Sequence, residues 1–172
     1  MKIPPTTLVF REKQKFSRLL RWLLILDAVV FIVFILLLLS YVGKEHAKPL
    51  PAVVMVVILT VPTAITVLFW ISKLETEVRP DGLYIRFFPF HINFKRFTFE
   101  DISEYYAREY RPVLEYGGWG IRYSFSGRAY NVSGKKGLQI IFKNGKRLLV
   151  GSQKPHELVA AIDSIIKGNA EK

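Results

Sequence analysis

The chain has 172 residues, of which 51% are hydrophobic, and it carries a formal net charge of +11. Its apolar residues are concentrated in segments 19–42 and 50–72, and the remaining C-terminal part, about 100 residues, is long enough for one small core and not for two. The sequence contains no cysteine, which excludes disulfides, thiolate metal sites and cysteine nucleophiles.

The N-terminal segment 1–18 is rich in basic residues, and we interpret it as a cytoplasmic tail. Together with the start of the first apolar segment it carries six basic side chains, whereas the connection 43–49 carries only two, Lys44 and Lys48. Basic residues are retained on the cytoplasmic side of a membrane, so the imbalance predicts that both chain termini are cytoplasmic and that 43–49 lies outside. The six are Lys2, Arg11, Lys13, Lys15, Arg18 and Arg21.

The two apolar segments have the length expected of transmembrane helices, because a bilayer core needs about 20 apolar residues in a helix. The short connection between them predicts an antiparallel hairpin with spans at 19–42 and 50–72. A cleaved signal peptide is the alternative for the first segment, but its apolar run exceeds the roughly 7–15 residues of a signal sequence. We therefore expect a multi-pass protein of the cell membrane, with the lipid bilayer as its first partner.

Three polar residues stand out inside the predicted spans. Asp27 lies in the first, and Thr63 and Thr66 lie at the matching depth of the second. An ionisable group inside a span is costly and often functional. Two hypotheses follow: Asp27 is a neutral, hydrogen-bonded clamp between the helices, or it takes part in proton or ion movement.

Residues 73–172 change to the alternating pattern of short antiparallel strands. Asn144 and Gly145 between two such strands are the strongest short signal for a hairpin. Near the C-terminus, Leu158, Ile162 and Ile165 recur at the spacing of one helical face. The pattern predicts a bent sheet or partial barrel of about seven antiparallel strands capped by a C-terminal α-helix. The segments that show this pattern lie at 75–79, 83–88, 92–94, 97–99, 103–110, 121–125, 128–132, 138–142 and 147–150, and a bulge or tight bend is expected between 92–94 and 97–99.

The order of two apolar helices followed by a β domain resembles the bacterial pleckstrin-homology-like (PH-like) membrane protein family. The resemblance covers residues 73–166 in the domain and rests mainly on a string of segments from Gly-Gly-Trp-Gly-Ile-Arg to Gly-Ser-Gln. It implies a PH-like fold and a membrane protein, and it implies no catalytic role for any residue. The matching segments are 110–112, 116–122, 129–132, 145–147 and 151–153.

The glycine-rich segment 116–122 supports two interpretations. In the structural one, its glycines form a bend, Trp119 packs under the loop and Arg122 holds a carboxylate such as that of Glu115. In the functional one, Trp119 and Arg122 form a docking point for a partner or an anionic head group. The sequence leaves both open.

Basic residues outnumber acidic ones in the domain, with 17 against 11 between residues 73 and 172. Lys135, Lys136, Lys143, Lys146 and Arg147 lie at predicted hairpin tips, where they are candidates to bind anionic lipid head groups. The alternative is that basic residues serve only the orientation of the chain in the membrane. No recognisable motif combines exposed aromatic residues with base-reading side chains, so we do not expect nucleic acid as a partner.

Catalytic patterns are not evident in the domain. His91 and His156 are isolated from each other and from carboxylates at metal-binding spacing, so we expect no metal site, no cofactor and no enzymatic activity. Two function classes remain. The first is a membrane-anchored binding or scaffolding module that engages a membrane-protein partner, a second copy of itself or the anionic membrane surface. The second is an accessory subunit of a transport or ion-translocating complex.

Overall fold

The two apolar segments of the sequence are helical in the computed structural model, which describes residues 8–16, 18–42 and 52–170. Helix α1 spans Arg18–Val42 and helix α2 spans Ala52–Ile71. They belong to one compact unit, Phe16–Ile71, in which the rings of Phe16 and Phe69 meet edge to face with centroids 5.2 Å apart. Most of the apolar side chains described in α1 and α2 are exposed within this unit.

The transmembrane assignment of these helices needs correction. In the part of the chain that the structure describes, no helix is long and apolar enough to cross a membrane. A span needs about 20 consecutive apolar residues in one helix. The predicted spans at 19–42 and 50–72 are therefore not supported, and neither is the multi-pass membrane localisation derived from them. The predicted outer connection, 43–49, lies outside the described residues.

The second compact unit contains the β domain, and its first strand comes from the N-terminal segment that we interpreted as a tail. Strand β1, Phe10–Lys15, pairs in antiparallel fashion with β2, Lys73–Arg79. Strands β3, Gly82–Phe88, and β4, Lys95–Phe97, complete a four-stranded sheet in the order β1-β2-β3-β4. Where two strands were predicted on either side of a bulge, the structure has only the short β4, followed by a 3-10 turn at Phe99–Asp101.

A second sheet holds five strands in the order β5-β8-β9-β7-β6. The short helix α3, Pro112–Tyr116, follows β5, and the longer helix α4, Pro155–Ala170, follows β9. Neighbouring strands are antiparallel except β7 and β9, which run parallel. The strands are β5, Ile102–Glu109; β6, Gly120–Ser124; β7, Gly127–Asn131; β8, Lys136–Phe142; and β9, Arg147–Gly151.

The predicted single bent sheet of about seven antiparallel strands is therefore corrected to a mainly β domain with two sheets and a few helices. Two features account for the difference. A charged segment outside the predicted domain supplies β1, and the parallel pairing of β7 with β9 joins strands from two different hairpins.

The core of the domain lies where side chains of both sheets meet helix α4. This helix contacts β5, β8 and β2, and Leu158 and Ile162 on its inner face are fully buried. Burial of each such side chain contributes about 1.5–3 kcal/mol. The sheets supply the other large apolar residues of the core, among them Leu74, Val78, Leu83, Ile85, Phe87, Leu138, Ile140 and Leu149.

Strand β1 is fixed to the domain by buried polar side chains. The carboxylate of Glu12 accepts hydrogen bonds from Ser152 Oγ at 2.6 Å and from the backbone N–H of Gln153 at 2.8 Å. Gln14 Nε2 donates to the carbonyl of Gly151 at 2.7 Å. The Gly-Ser-Gln segment thus has a structural role, and a fragment that starts at residue 73 would lack both β1 and these bonds.

Candidate functional site

A cleft of about 680 Å³ opens at one end of the β domain. Its walls come from the end of β4 and from two hairpins, β6–β7 and β8–β9. Phe97 and Phe142 form an apolar part of the lining, with ring centroids 5.6 Å apart. Clefts of this size suit small ligands, because pockets that bind them measure about 300–1,000 Å³.

The lining of this cleft is strongly basic. Five cationic side chains line it against one carboxylate, Asp101, which accepts a hydrogen bond from Thr98 Oγ1. Such a concentration of one sign of charge in a concave site focuses the electrostatic potential and attracts anions. The five, called the basic cluster below, are Arg96, Arg128, Lys143, Lys146 and Arg147.

Two members of the basic cluster are held by partners within the domain. Arg96 donates to the backbone carbonyl of Asp81 at 3.0 Å, and its Nε lies 3.5 Å from the Asp81 carboxylate. The guanidinium of Arg128 lies over the ring of Tyr123, 4.7 Å from its centroid, and donates to the hydroxyl of Tyr130 at 3.2 Å. These contacts fix where the two cations point.

The other three members, Lys143, Lys146 and Arg147, are exposed and make no ion pair with any residue in the described ranges. The turn between β8 and β9 positions them. Gly145 adopts a φ of 78°, which suits glycine, and the side chain of Asn144 accepts the backbone N–H of Lys146 at 3.0 Å. Because their charges have no partner in the described domain, these three are the side chains most available to a ligand.

A close backbone approach brings the two hairpins together. A Cβ on Gly127 would lie 2.5 Å from the carbonyl oxygen of Arg147, and Gly127 has a φ of 107°. Glycine at this position therefore lets β7 lie against the start of β9, which places Arg128 opposite Leu148 in the parallel register. The sheet topology, not proximity in sequence, assembles the basic cluster.

The structure brings only part of the predicted basic surface into the cleft. Lys146 and Arg147 line it, but Lys135 and Lys136 lie at the opposite end of β8, where Lys136 is 3.5 Å from the carboxylate of Glu109. Two members of the cluster, Arg96 and Arg128, were not among the predicted site residues. Each lies in a strand remote from the others in sequence, so no local pattern marks them.

The glycine-rich segment lies outside the cleft lining and forms a compact bend. Gly117 ends α3 with a φ of 68°, and the backbone N–H of Gly120 donates to Asn131 Oδ1 at 2.9 Å. Arg122 Nε donates to the carbonyl of Trp119 at 2.9 Å. Trp119 is 41% exposed, so it does not pack under the loop as the structural interpretation had it.

The predicted contact between Arg122 and Glu115 is wrong, because Arg108 takes that carboxylate. Arg108 Nη2 donates to Glu115 at 2.8 Å, and the backbone N–H of Arg111 donates to the other carboxylate oxygen at 2.7 Å. Burial alone would raise the pKa of Glu115, but the Arg111 N–H and the Arg108 guanidinium outweigh it and lower that pKa. This segment thus has a structural network of its own.

Comparison with models of protein families identifies the family of this chain. The family model matches residues 1–168, which include both compact units almost entirely. The chain belongs to the DUF6141 family. This is a family of unknown function, and its description mentions neither a PH-like domain nor a membrane protein. Neither the curated proteins nor the solved structures contain a match to this DUF6141 chain.

The three polar residues predicted within the membrane lie in the helical unit of the DUF6141 protein. Asp27 is in α1, and Thr63 and Thr66 are in α2. Asp27 and Thr63 are exposed, and Thr66 is half-buried. Because the structure does not support membrane spans, their description as intramembrane residues is not supported either.

The two histidines of the DUF6141 domain lie apart. His156 is exposed near the start of α4, whereas the ring of His91 packs edge to face on Tyr130 with centroids 5.4 Å apart. Burial, with the nearby charges of Lys95 and Arg128, lowers the pKa of His91. Among the described residues, no three His, Asp or Glu side chains are grouped so that they could hold a metal ion.

Proposed function

We propose that this protein is a non-enzymatic binding module whose basic cleft binds a phosphate-bearing anionic ligand. The observation that supports the proposal is the basic cluster, in which five cations line one cleft and three of them have no partner charge in the described domain. The ligand is defined by its chemistry, and both a soluble phosphate compound and a lipid head group carry it.

Phosphate suits this cleft better than a carboxylate does, because a phosphate group carries about two negative charges and three acceptor oxygens, whereas a carboxylate carries one charge and two oxygens. Guanidinium groups bind phosphate oxygens through paired hydrogen bonds, and ammonium groups add point charges that need no fixed geometry. The cleft offers both kinds of cation. Arg96 and Arg128 are held in place, whereas Lys143 and Lys146 are exposed and adjustable.

Self-repulsion within the basic cluster favours ligand binding. Like charges that line one cleft destabilise the protein until an anion neutralises them. A phosphate ligand would relieve that repulsion and would also gain hydrogen bonds to charged donors, each contributing about 1.5–3 kcal/mol. The basic cluster is therefore not expected to stabilise the free protein, and its charges are those of a binding site for an anion.

The resemblance to PH-like proteins concerns the fold of the domain and implies no activity. It rests on the segments from 110–112 to 151–153, and the domain has the order of two sheets followed by a C-terminal helix. The resemblance identifies no ligand. The choice of a phosphate-bearing ligand comes from the charges of the cleft alone.

Binding of inorganic pyrophosphate by the purified full-length protein tests the proposal. Replacing Lys143, Lys146 and Arg147 together by Gln should weaken binding at least about tenfold, measured by isothermal titration calorimetry. All three side chains are exposed, so the variant should keep its fold.

A matched control removes three cations elsewhere, by replacing Lys135, Lys136 and Lys154 with Gln. These side chains are exposed and lie outside the cleft lining. Binding in the control should stay within about twofold of wild type, because distant exposed charges are screened by salt. Equal losses in both triple variants would show a diffuse effect of net charge and no site. If the wild-type protein binds neither pyrophosphate nor vesicles that contain phosphatidylserine, the proposed function fails.

A further inference from the structure

We propose that the tip of the β6–β7 hairpin inserts Phe125 into a lipid surface whose phosphate head group occupies the basic cleft. This inference rests on the proposed function and adds the source of the ligand. Phe125 is fully exposed at the turn, and the neighbouring Tyr123 is 68% exposed. Single exposed apolar residues are ordinary on protein surfaces, so exposure alone does not indicate a binding role for Phe125. The support for such a role comes from the position of the hairpin tip.

The tip belongs to the rim of the basic cleft. The residues on either side of the turn, Ser124 and Gly127, line the cleft, as do Tyr123 and Arg128. The guanidinium of Arg128 lies over the Tyr123 ring, so one contact connects the aromatic hairpin to the basic cluster. A ligand in the cleft therefore lies beside the tip.

The directions of β7 and β9 place the turn of the β6–β7 hairpin and the turn of the β8–β9 hairpin at the same end of the sheet. Strands β7 and β9 are parallel and paired, with Arg128 opposite Leu148. Each strand directly follows its hairpin turn, the first at 125–126 and the second at 143–146. The exposed phenyl ring and the cations Lys143, Lys146 and Arg147, which form no ion pair with any described residue, consequently share one edge of the domain.

This combination of groups matches the edge of an anionic bilayer better than a soluble phosphate. An anionic leaflet attracts each nearby basic residue with about 1 kcal/mol, and an aromatic ring gains by leaving water at the boundary of the acyl chains. A soluble phosphate needs the cations and gains nothing from Phe125. Substitution of Phe125 should therefore weaken binding to a lipid surface and leave binding of a soluble phosphate compound unchanged.

The test compares two ligands with the full-length protein. Phe125→Ala should reduce partition onto vesicles of phosphatidylcholine with phosphatidylserine by about tenfold and leave the affinity for pyrophosphate unchanged. Leu114→Ala is the matched control, because Leu114 is 77% exposed and lies outside the cleft lining, and it should leave both unchanged. Vesicles of phosphatidylcholine alone measure the background association that all variants share.

A second measurement reports insertion of the tip directly. The sequence has no cysteine, so Ser126→Cys provides a single site for an environment-sensitive fluorophore next to Phe125. Its emission should shift to shorter wavelength with phosphatidylserine vesicles and stay unchanged with pyrophosphate. The same label at Lys154→Cys, away from the cleft, should not shift with either ligand.

Each other outcome is decisive. If Phe125→Ala binds phosphatidylserine vesicles as wild type does, or if the label at position 126 does not shift, the inference is wrong while the cleft can still be a phosphate site. Binding of pyrophosphate without any preference for phosphatidylserine identifies a soluble ligand and also overturns the inference. If the protein binds neither pyrophosphate nor phosphatidylserine vesicles, the proposed function itself is wrong.

Discussion

The hydroxyl of Ser152 donates a 2.6 Å hydrogen bond to the carboxylate of Glu12, 140 residues earlier in the chain. Both side chains are buried, and the bond joins β1 to the segment that follows β9. It therefore links the first strand of one sheet to the end of the other.

Removal of this bond should destabilise the domain. Ser152→Ala leaves a buried carboxylate without one of its two donors, so we expect a loss of about 1.5–3 kcal/mol in the free energy of unfolding. Thermal or urea unfolding of the full-length protein measures the loss. Ser164→Ala is the control, since Ser164 is exposed on α4, and should change stability by less than about 0.5 kcal/mol. Equal stability of both variants would show that β1 is not held by this bond.

The close approach of Gly127 to Arg147 predicts an unequal cost for two glycine substitutions. Gly127→Ala meets a carbonyl oxygen at 2.5 Å in addition to a φ of 107°, whereas Gly134→Ala has a φ of 79° and open space around the new Cβ. Gly134→Ala should cost about 1–2 kcal/mol from backbone strain alone. Gly127→Ala should cost at least about 2 kcal/mol more, through overpacking. A similar drop in unfolding midpoint for both variants would contradict the packing of β7 on β9.

The hairpin of the β domain that the sequence marks most clearly is found as predicted, and β1 could not be predicted. Asn144–Gly145 sits between β8 and β9, because this dipeptide carries its turn geometry locally. Strand β1 has the sequence Phe-Arg-Glu-Lys-Gln-Lys, which lacks apolar alternation. Of its inward side chains, Glu12 accepts a hydrogen bond from Ser152 and Gln14 donates one to the carbonyl of Gly151, and no local pattern indicates partners so remote in sequence. For the apolar segments, hydropathy alone predicted membrane spans that the structure does not support.

Only part of the candidate site could be predicted from the sequence, for a similar reason. Lys146 and Arg147 were among the predicted candidates because they follow a recognisable turn. Arg96 and Arg128 reach the same cleft through β4 and through the parallel pairing of β7 with β9. A prediction of antiparallel strands alone cannot place these residues together, since it puts the β6–β7 and β8–β9 hairpins in no fixed relation.

Stability at alkaline pH should depend on Tyr105. Its hydroxyl donates to Asp163 Oδ1 at 2.5 Å, and burial together with this carboxylate raises the pKa of Tyr105 from 10 to about 12. The unfolded chain therefore releases this proton at a lower pH than the folded chain, so the contribution of Tyr105 is full below pH 10 and is lost as pH rises to about 12. Tyr105→Phe should cost about 1 kcal/mol at neutral pH and less at about pH 11. Urea unfolding at both pH values checks this, and a constant difference would contradict it.

Stability at acid pH should depend on Glu75, whose contribution is lost as pH falls, whereas that of Tyr105 is lost as pH rises. This carboxylate is buried in β2, where Arg86 Nε donates to it at 2.9 Å and Lys73 Nζ lies at 3.1 Å. Burial alone would raise the pKa of Glu75, but Arg86 and Lys73 outweigh burial and lower that pKa below 4.5. Its contribution is therefore present above pH 4.5 and is lost as pH falls through the folded-state pKa.

Glu75→Gln removes this contribution and leaves Arg86 half-buried without its carboxylate, so we expect a loss of about 3 kcal/mol at neutral pH. The loss should shrink as pH falls below the ordinary pKa of a glutamate. Glu104→Gln is the control, because Glu104 is exposed on β5, and should have little effect at any pH. Urea unfolding across the acid range gives both values, and a loss that does not depend on pH would contradict the assignment.

The basic cluster should destabilise the free protein, because its members repel one another. Replacing Lys143, Lys146 and Arg147 by Gln removes three exposed cations that have no partner charge in the described domain. At low salt the triple variant should be more stable than wild type by about 0.5 kcal/mol, a typical size for exposed charge interactions. The gain should disappear near 1 M salt, where the screening length falls to about 3 Å. Chemical unfolding at the two salt concentrations measures it. A variant less stable than wild type at low salt would mean that these cations stabilise the fold, and their presence in the cleft would then need no ligand to account for it.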